Sequence, residues 1–292
     1  MAAEDGGPTG APPAADGRHR GLAGGRPAAA FFDLDKTLIQ GSSAFQFGRA
    51  AYRAGLLGRR QLLADAIANI QFRLHGATDE DSLALRDRIS ASLEGTRVKD
   101  LERLGADVLA GILPKHYPQM LDIAHEHQDA GRRAYIVTAA SQELAEILAQ
   151  VMALDGAIGS NLSEVVDGVF TGKPVGLFVY RAQKAQAIEE LAEREGIDLT
   201  ASYAYSDSES DLPMLRAVGH PVAVNPDAAL GRIARQEGWP VLRFDRLRRR
   251  LRTAVVLGAV AGSSGALSAA VVSRVRGRHS RSTLPRRRSR WP

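Results

Sequence analysis

The chain contains no cysteine among its 292 residues. That excludes disulfides, thiolate zinc sites and cysteine nucleophiles together. Acids are missing from the last 47 residues, where thirteen arginines stand between Arg246 and Pro292 without one Asp or Glu. The net charge of +5 therefore belongs to the tail, since removing its thirteen charges leaves −8 on the first 245 residues. An apolar leader is missing too. The first 26 residues run through Gly-Gly-Pro-Thr-Gly, Ala-Pro-Pro-Ala-Ala and Gly-Gly-Arg-Pro, which reads as a disordered tail on a protein that stays in the cytoplasm. Lysine is scarce in the second half, with Lys184 the only one after Lys173. Length gives a prior of about two domains, and 45% hydrophobic content is ample for a core.

Against these absences stands the run Ala28 to Leu38, Ala-Ala-Ala-Phe-Phe-Asp-Leu-Asp-Lys-Thr-Leu, whose apolar part ends in two carboxylates two positions apart. Short apolar runs read as buried parallel strands, and open α/β sheets bind ligands beyond the carboxyl ends of their strands. Residues two apart in extended chain face the same way, so Asp33 and Asp35 can address one substrate while Leu34 turns inward. One can attack and the other can move a proton, because neighbouring carboxylates tend to split their pKa values. The alternative is an N-cap or turn at a strand-to-helix join.

Two more runs resemble the first. Ala134 to Ser141 ends near the Thr138 hydroxyl and leads into Gln142-Glu143-Leu144, a helix start capped by Ser141. Ala201 to Leu212 is a third strand followed by Asp207, Glu209 and Asp211, three carboxylates in five residues that repel one another unless a cation sits among them. Between these runs, Lys184 lies on an amphipathic segment from Tyr180 to Glu195.

In this order, Asp-x-Asp-x-Thr, Thr, Lys, Asp-x-x-x-Asp, the set resembles the four motifs of the haloacid dehalogenase (HAD) superfamily of phosphohydrolases, and within it the phosphoserine-phosphatase-like subfamily IB, over about residues 28 to 230. The resemblance implies an α/β fold, a Rossmann-like parallel-sheet core of residues 27–40 and 129–245 with a helical cap of the C1 type at 41–128. It implies Asp33 as nucleophile, Asp35 as general acid then base, Thr138 holding phosphate and Lys184 neutralising it. Mg²⁺ would be held by Asp33, Asp207 and the backbone carbonyl of Asp35, with Asp211 in support. Asn225, in Val224-Asn225-Pro226, also matches a family position. The chemistry is consistent, because a phosphate monoester repels a carboxylate nucleophile until cations offset its charge, and Mg²⁺ takes oxygen ligands from one or two carboxylates plus substrate phosphate.

The ninety or so residues between the first two motifs exceed an ordinary connection. Ser42 to Ala54, Arg59 to Leu74, Asp79 to Leu93 and Val98 to Ile112 each carry apolar residues at helical spacing, divided by Gly55 to Gly58, His75-Gly76 and Gly95-Thr96. A lid of helices there would exclude water and select the leaving group. The substrate is read as a small-molecule phosphomonoester. Phosphoserine phosphatases usually carry a glutamate just after the first motif, and the stretch Ile39 to Phe47 has no acid. A charged hydrogen bond contributes roughly 1.5–3 kcal/mol, so phosphoserine ranks below other monoesters. His125 and His127 are taken as surface residues, since positions two apart on a helix face different directions. None of the cap arginines Arg53, Arg59, Arg60 and Arg73 is assigned to the site.

In the tail, Thr253 to Ser273 is an uncharged run of 21 residues flanked by arginines, long enough to span about 30 Å of hydrocarbon as a helix. Its seven Val and Leu stand against six Ala, three Gly and four Ser, a composition that inserts far less favourably than a Leu-rich one. A membrane anchor, spanning or interfacial, and an Ala/Gly-rich linker both remain open. Anionic lipid is the first target for its arginines and nucleic acid ranks behind. Two other functions compete with hydrolysis: a phosphotransferase or mutase built on the same nucleophile, and a non-catalytic membrane-bound scaffold. The complete acid set argues against the scaffold.

Overall fold

The computed structural model describes residues 26–55 and 79–244. Its centre is a six-stranded sheet in the order β3-β2-β1-β6-β7-β8, every pairing parallel. The strands are β1 (Ala29–Asp33), β2 (Arg133–Ser141), β3 (Gly156–Ser160), β6 (Tyr203–Ser206), β7 (His220–Val224) and β8 (Val241–Leu242), and a hairpin of β4 (Val165–Val166) and β5 (Val169–Phe170) stands apart. All five residues of β1 are buried, as a strand covered on both faces requires. The chain moves outward from β1 to β2 and β3, then returns to place β6 on the other side of β1. That reversal opens a crevice at the carboxyl ends of β1 and β6.

The long amphipathic helix α6 (Ala182–Glu195) covers one face. Ala187, Ile188, Leu191 and Ala192 pack with Phe31, Tyr135, Val137 and Ala204, and with Met214 and Leu215 of α7 (Leu212–Arg216) and Leu230 and Ala234 of α8 (Ala228–Gln236). Helix α6 starts at Ala182 rather than Tyr180, because Arg181 adopts φ 52. The third strand begins at Tyr203 rather than Ala201, because Asp198 accepts the Thr200 N–H and caps a 3₁₀ turn over Leu199–Ala201.

Helix α4 (Pro118–Asp129) packs against β1 and β2. It overturns the expectation that both of its histidines lie at the surface: His127 is 5% exposed. Met120, Ile123, Ala124 and His127 make one buried stripe at helical spacing, and the imidazole is buried because its polar atoms are satisfied inside. Its Nδ1 accepts from Arg132 Nε at 2.6 Å and its Nε2 lies 2.8 Å from the Tyr205 hydroxyl.

Three of the four expected inserted helices fall within the described residues. They are α1 (Ser43–Arg53), with Ser42 accepting the Phe45 N–H at its N-cap, α2 (Asp79–Ser92) and α3 (Val98–Ile112). The expected Arg59–Leu74 helix lies outside the described residues. Leu104, Val108 and Ile112, four apart, form the buried face of α3, which packs on α1. The α2–α3 elbow runs beside the hairpin. Gly95 N–H donates to Phe170 O at 2.9 Å, Phe170 N–H to Thr96 O at 2.9 Å and Val98 N–H to Gly168 O at 3.0 Å. The described residues up to Arg243 belong to one compact unit. Among them no helix is long and apolar enough to cross a membrane. The run 253–273 and the rest of the arginine-rich tail lie outside the described residues.

Candidate active site

The strand register aligns the expected residues at one edge. Asp33 pairs in register with Val137, so Thr138 follows on β2. Phe32 pairs with Tyr205, so Ser206 ends β6 and Asp207 follows just beyond it. Ser206 pairs with Ala223, which puts Asn225 just past the end of β7. Parallel strands bring residues separated by more than a hundred positions to one crevice.

Asp33, Thr138, Lys184, Asp207 and Asp211 are all buried. Lys184 reaches from the first turn of α6 and donates to Asp33 Oδ1 at 2.5 Å and Asp211 Oδ2 at 2.8 Å. Asp211 also accepts from the Ser206 hydroxyl at 2.6 Å on the same oxygen, so its role is to hold the lysine. Burial opposes the charge on Lys184, but Asp211 and Asp33 outweigh it and raise its pKa above the ordinary value. Burial pushes Asp33 up to about 8, with Lys184 pulling the other way and Asp211 and Asp207 adding repulsion. Asp207 rises to about 6 for the same first reason, partly relieved by Lys36.

Asp35 lies beyond the strand end, and its Oδ1 accepts the Ser43 N–H at 2.8 Å. The first N–H groups of a helix are unpaired within it and attract negative charge, so α1 fixes the orientation of the second carboxylate. Leu34 between them is fully buried, as its inward direction requires. The Thr138 hydroxyl accepts the Ala140 N–H at 3.2 Å, which leaves its own proton for another acceptor. Asp227 ties down the acidic loop: its N–H donates to Asp207 O at 2.8 Å and its Oδ2 accepts the Glu209 N–H at 3.1 Å. Asn225 adopts φ 42 and donates its N–H to Leu242 O at 2.7 Å.

Sequence reasoning missed Lys36, whose Nζ lies 3.3 Å from Asp207 Oδ2, although a lysine between Asp35 and Thr37 was a visible signal. It also missed Ser206, a hydroxyl directly before the acidic loop, and Asp227, which reads only as a helix cap. Among the described residues no three His, Asp or Glu side chains form a ready metal cluster. Mg²⁺ does not need one, since one or two carboxylates suffice. Asp33 and Asp207 repel each other across the crevice, and an ammonium group already rests on Asp207. Hard oxygen donors that draw a cation fit a divalent ion.

Residues 30–216 match the family model described as haloacid dehalogenase-like hydrolase. The chain is 39% identical over 266 residues to a Mycobacterium tuberculosis protein named phosphoserine phosphatase, covering 90% of this chain and 86% of that one. A solved protein of unknown function from Bordetella pertussis superposes with a TM-score of 0.66 at 26% identity, over 74% of this chain and 98% of that one. A phosphoserine phosphatase solved as an analogue of its phospho-aspartyl intermediate shares the fold, with a TM-score of 0.54 at 20% identity over 78% of this chain and 99% of that one.

Proposed function

The chain belongs to the haloacid dehalogenase-like hydrolases, and on that premise we propose that it is a Mg²⁺-dependent phosphatase that hydrolyses small-molecule phosphomonoesters through an aspartyl-phosphate on Asp33. The observation that carries this reading is the clasp of Lys184 on Asp33 at the crevice that Thr138 and Asp207 also border. It brings a nucleophile and a fixed positive charge to one point.

In the first half-reaction an Asp33 oxygen attacks phosphorus, the bond to the leaving alcohol breaks, and Asp35 gives its proton to the departing oxygen. In the second, Asp35 takes a proton from water as that water attacks phosphorus, which frees Asp33 and inorganic phosphate. Thr138 donates its hydroxyl proton to a phosphate oxygen, and Lys184 offsets negative charge beside the nucleophile. Asp33, Asp207 and the Asp35 carbonyl would hold Mg²⁺, which supplies positive charge against the phosphate oxygens. Helices α1 to α3 belong to the cap assigned to residues 41–128, and the core is assigned to 27–40 and 129–245. The scaffold reading loses ground because the whole acid and lysine set is gathered in one place.

The test is a screen of the purified full-length protein against a broad set of phosphate monoesters, with Mg²⁺ and after chelation. Phosphate release that depends on Mg²⁺ is expected for at least one class. Because Ile39 to Phe47 offers no acid to an ammonium group, phosphoserine should be cleaved less efficiently than monoesters without an amino group. No turnover of any monoester would overturn the assignment, and transfer of phosphate to an added alcohol in preference to water would turn it into a phosphotransferase.

A further inference from the structure

Two ammonium groups reach the carboxylate cluster, and they are held in opposite ways. Lys184 is 3% exposed and gives two of its three N–H donors to Asp33 and Asp211. Lys36 makes one long contact, 3.3 Å to Asp207 Oδ2, and its side chain is 47% exposed. Its backbone stands at φ 60, a region disfavoured for any residue with a Cβ, between Asp35 and the fully buried Thr37. A fixed cation and a loose one therefore border the same crevice.

Resting on the assignment of a phosphatase site above, we propose that Lys36 is a second phosphate-binding cation that trades places with the divalent ion, releasing Asp207 when Mg²⁺ binds and turning to the oxygens of the substrate phosphate. The formal charge count favours such a group. Lys184 and one divalent ion supply three positive charges, and the carboxylates of Asp33, Asp207 and Asp211 cancel them. Nothing is then left for a dianionic phosphate, and Lys36 is the surplus charge. Its exposure lets the four-carbon stem swing without breaking packing, which Lys184 cannot do. A lysine is also suited to the task as a compact charge on a flexible stem.

The proposal makes two shifts of opposite sign. Calorimetric titration of the full-length protein with Mg²⁺ alone should show K36M binding the ion about three- to tenfold more tightly than wild type, because a competing charge beside a mostly buried ligand is gone. Titration with inorganic phosphate at saturating Mg²⁺ should show K36M binding about tenfold more weakly, because a charge-assisted hydrogen bond is lost. K36N, uncharged and better suited to φ 60, should reproduce both shifts, and K36R should stay within about twofold of wild type in both. A variant that weakens both ligands would reduce Lys36 to a structural support, and unchanged affinity for either ligand would remove the exchange. Absence of Mg²⁺ binding in wild type and K36M alike would overturn the metal reading of the whole site along with it.

Discussion

Strand β6 and the residue just past its end carry two buried polar networks side by side. Tyr205, inside the strand, belongs to one whose buried members are neutral. It stacks on Phe32 at 4.6 Å and meets His127, whose ring lies 4.5 Å from that of Tyr203, itself covered by Arg132 at 5.3 Å. Asp207, two residues on, belongs to a charged network with Lys36, beside the clasp of Lys184 on Asp33 and Asp211. In the first, burial holds the histidine neutral, its pKa drawn down to about 3 by desolvation and then by Arg132. In the second, burial concentrates charge that only cations relieve. Polar groups inside the strands stabilise the fold by being neutral and paired, whereas those at the strand ends hold unbalanced charge that is useful only when a substrate arrives.

Substitutions at the two networks should therefore separate activity from stability. The largest effect is expected for Asp33→Asn, which removes the proposed nucleophile while preserving its size. Phosphatase turnover should fall by about a thousandfold or more, with the melting temperature no lower than that of wild type. Residual activity within tenfold would break the assignment of Asp33. Asp35→Asn removes the proposed proton donor and should slow an alkyl phosphate by about a hundredfold, but p-nitrophenyl phosphate far less, since that leaving group needs little protonation. Equal losses on the two substrates would contradict the role. Asp207→Ala should raise the Mg²⁺ concentration for half-maximal activity by about tenfold or more, as loss of a proposed carboxylate ligand requires.

The smallest effect belongs to the neutral network. In the unfolded chain His127 takes up a proton near 6.5, in the folded one only near 3, so the unfolded state binds more protons between those values. Stability should be fully present above pH 6.5 and decline by up to about 1.4 kcal/mol per pH unit below it. His127→Phe should flatten that decline in acid-side denaturant melts. At pH 7.5 it should cost about 1–3 kcal/mol, because the Arg132 N–H and the Tyr205 hydroxyl lose their partner. A variant with the same pH slope as wild type would show that the acid sensitivity comes from elsewhere.

The central strands and the site were legible for one reason. A parallel strand buried on both faces must be an unbroken apolar run, and the residues proposed for the site sit where the run stops, as at Asp33, Thr138 and Asp207. Helix spacing likewise delimited α3 at Val98 and Ile112 as found. Strand β3 gave no such signal, because it is glycine-rich for packing: a Cβ on Gly159 would come within 2.7 Å of Gln142 Cα. The stripe from Met120 to His127 was present in the sequence. A histidine at its end is ambiguous until Tyr205 and Arg132, brought from other elements, show that its nitrogens are paired. Lys36 is a similar case, since its partner Asp207 lies 171 positions away.

Three backbone hydrogen bonds and an isolated antiparallel bridge from Arg97 to Val169 tie the α2–α3 elbow to the hairpin, a two-stranded ribbon. Ser90 adds a tether, its hydroxyl 2.5 Å from Leu162 O. The elbow therefore has no independent hinge. Any swing of these helices either tears the ribbon or drags it, and the ribbon is spliced into the chain between β3 and α6, the helix that carries Lys184.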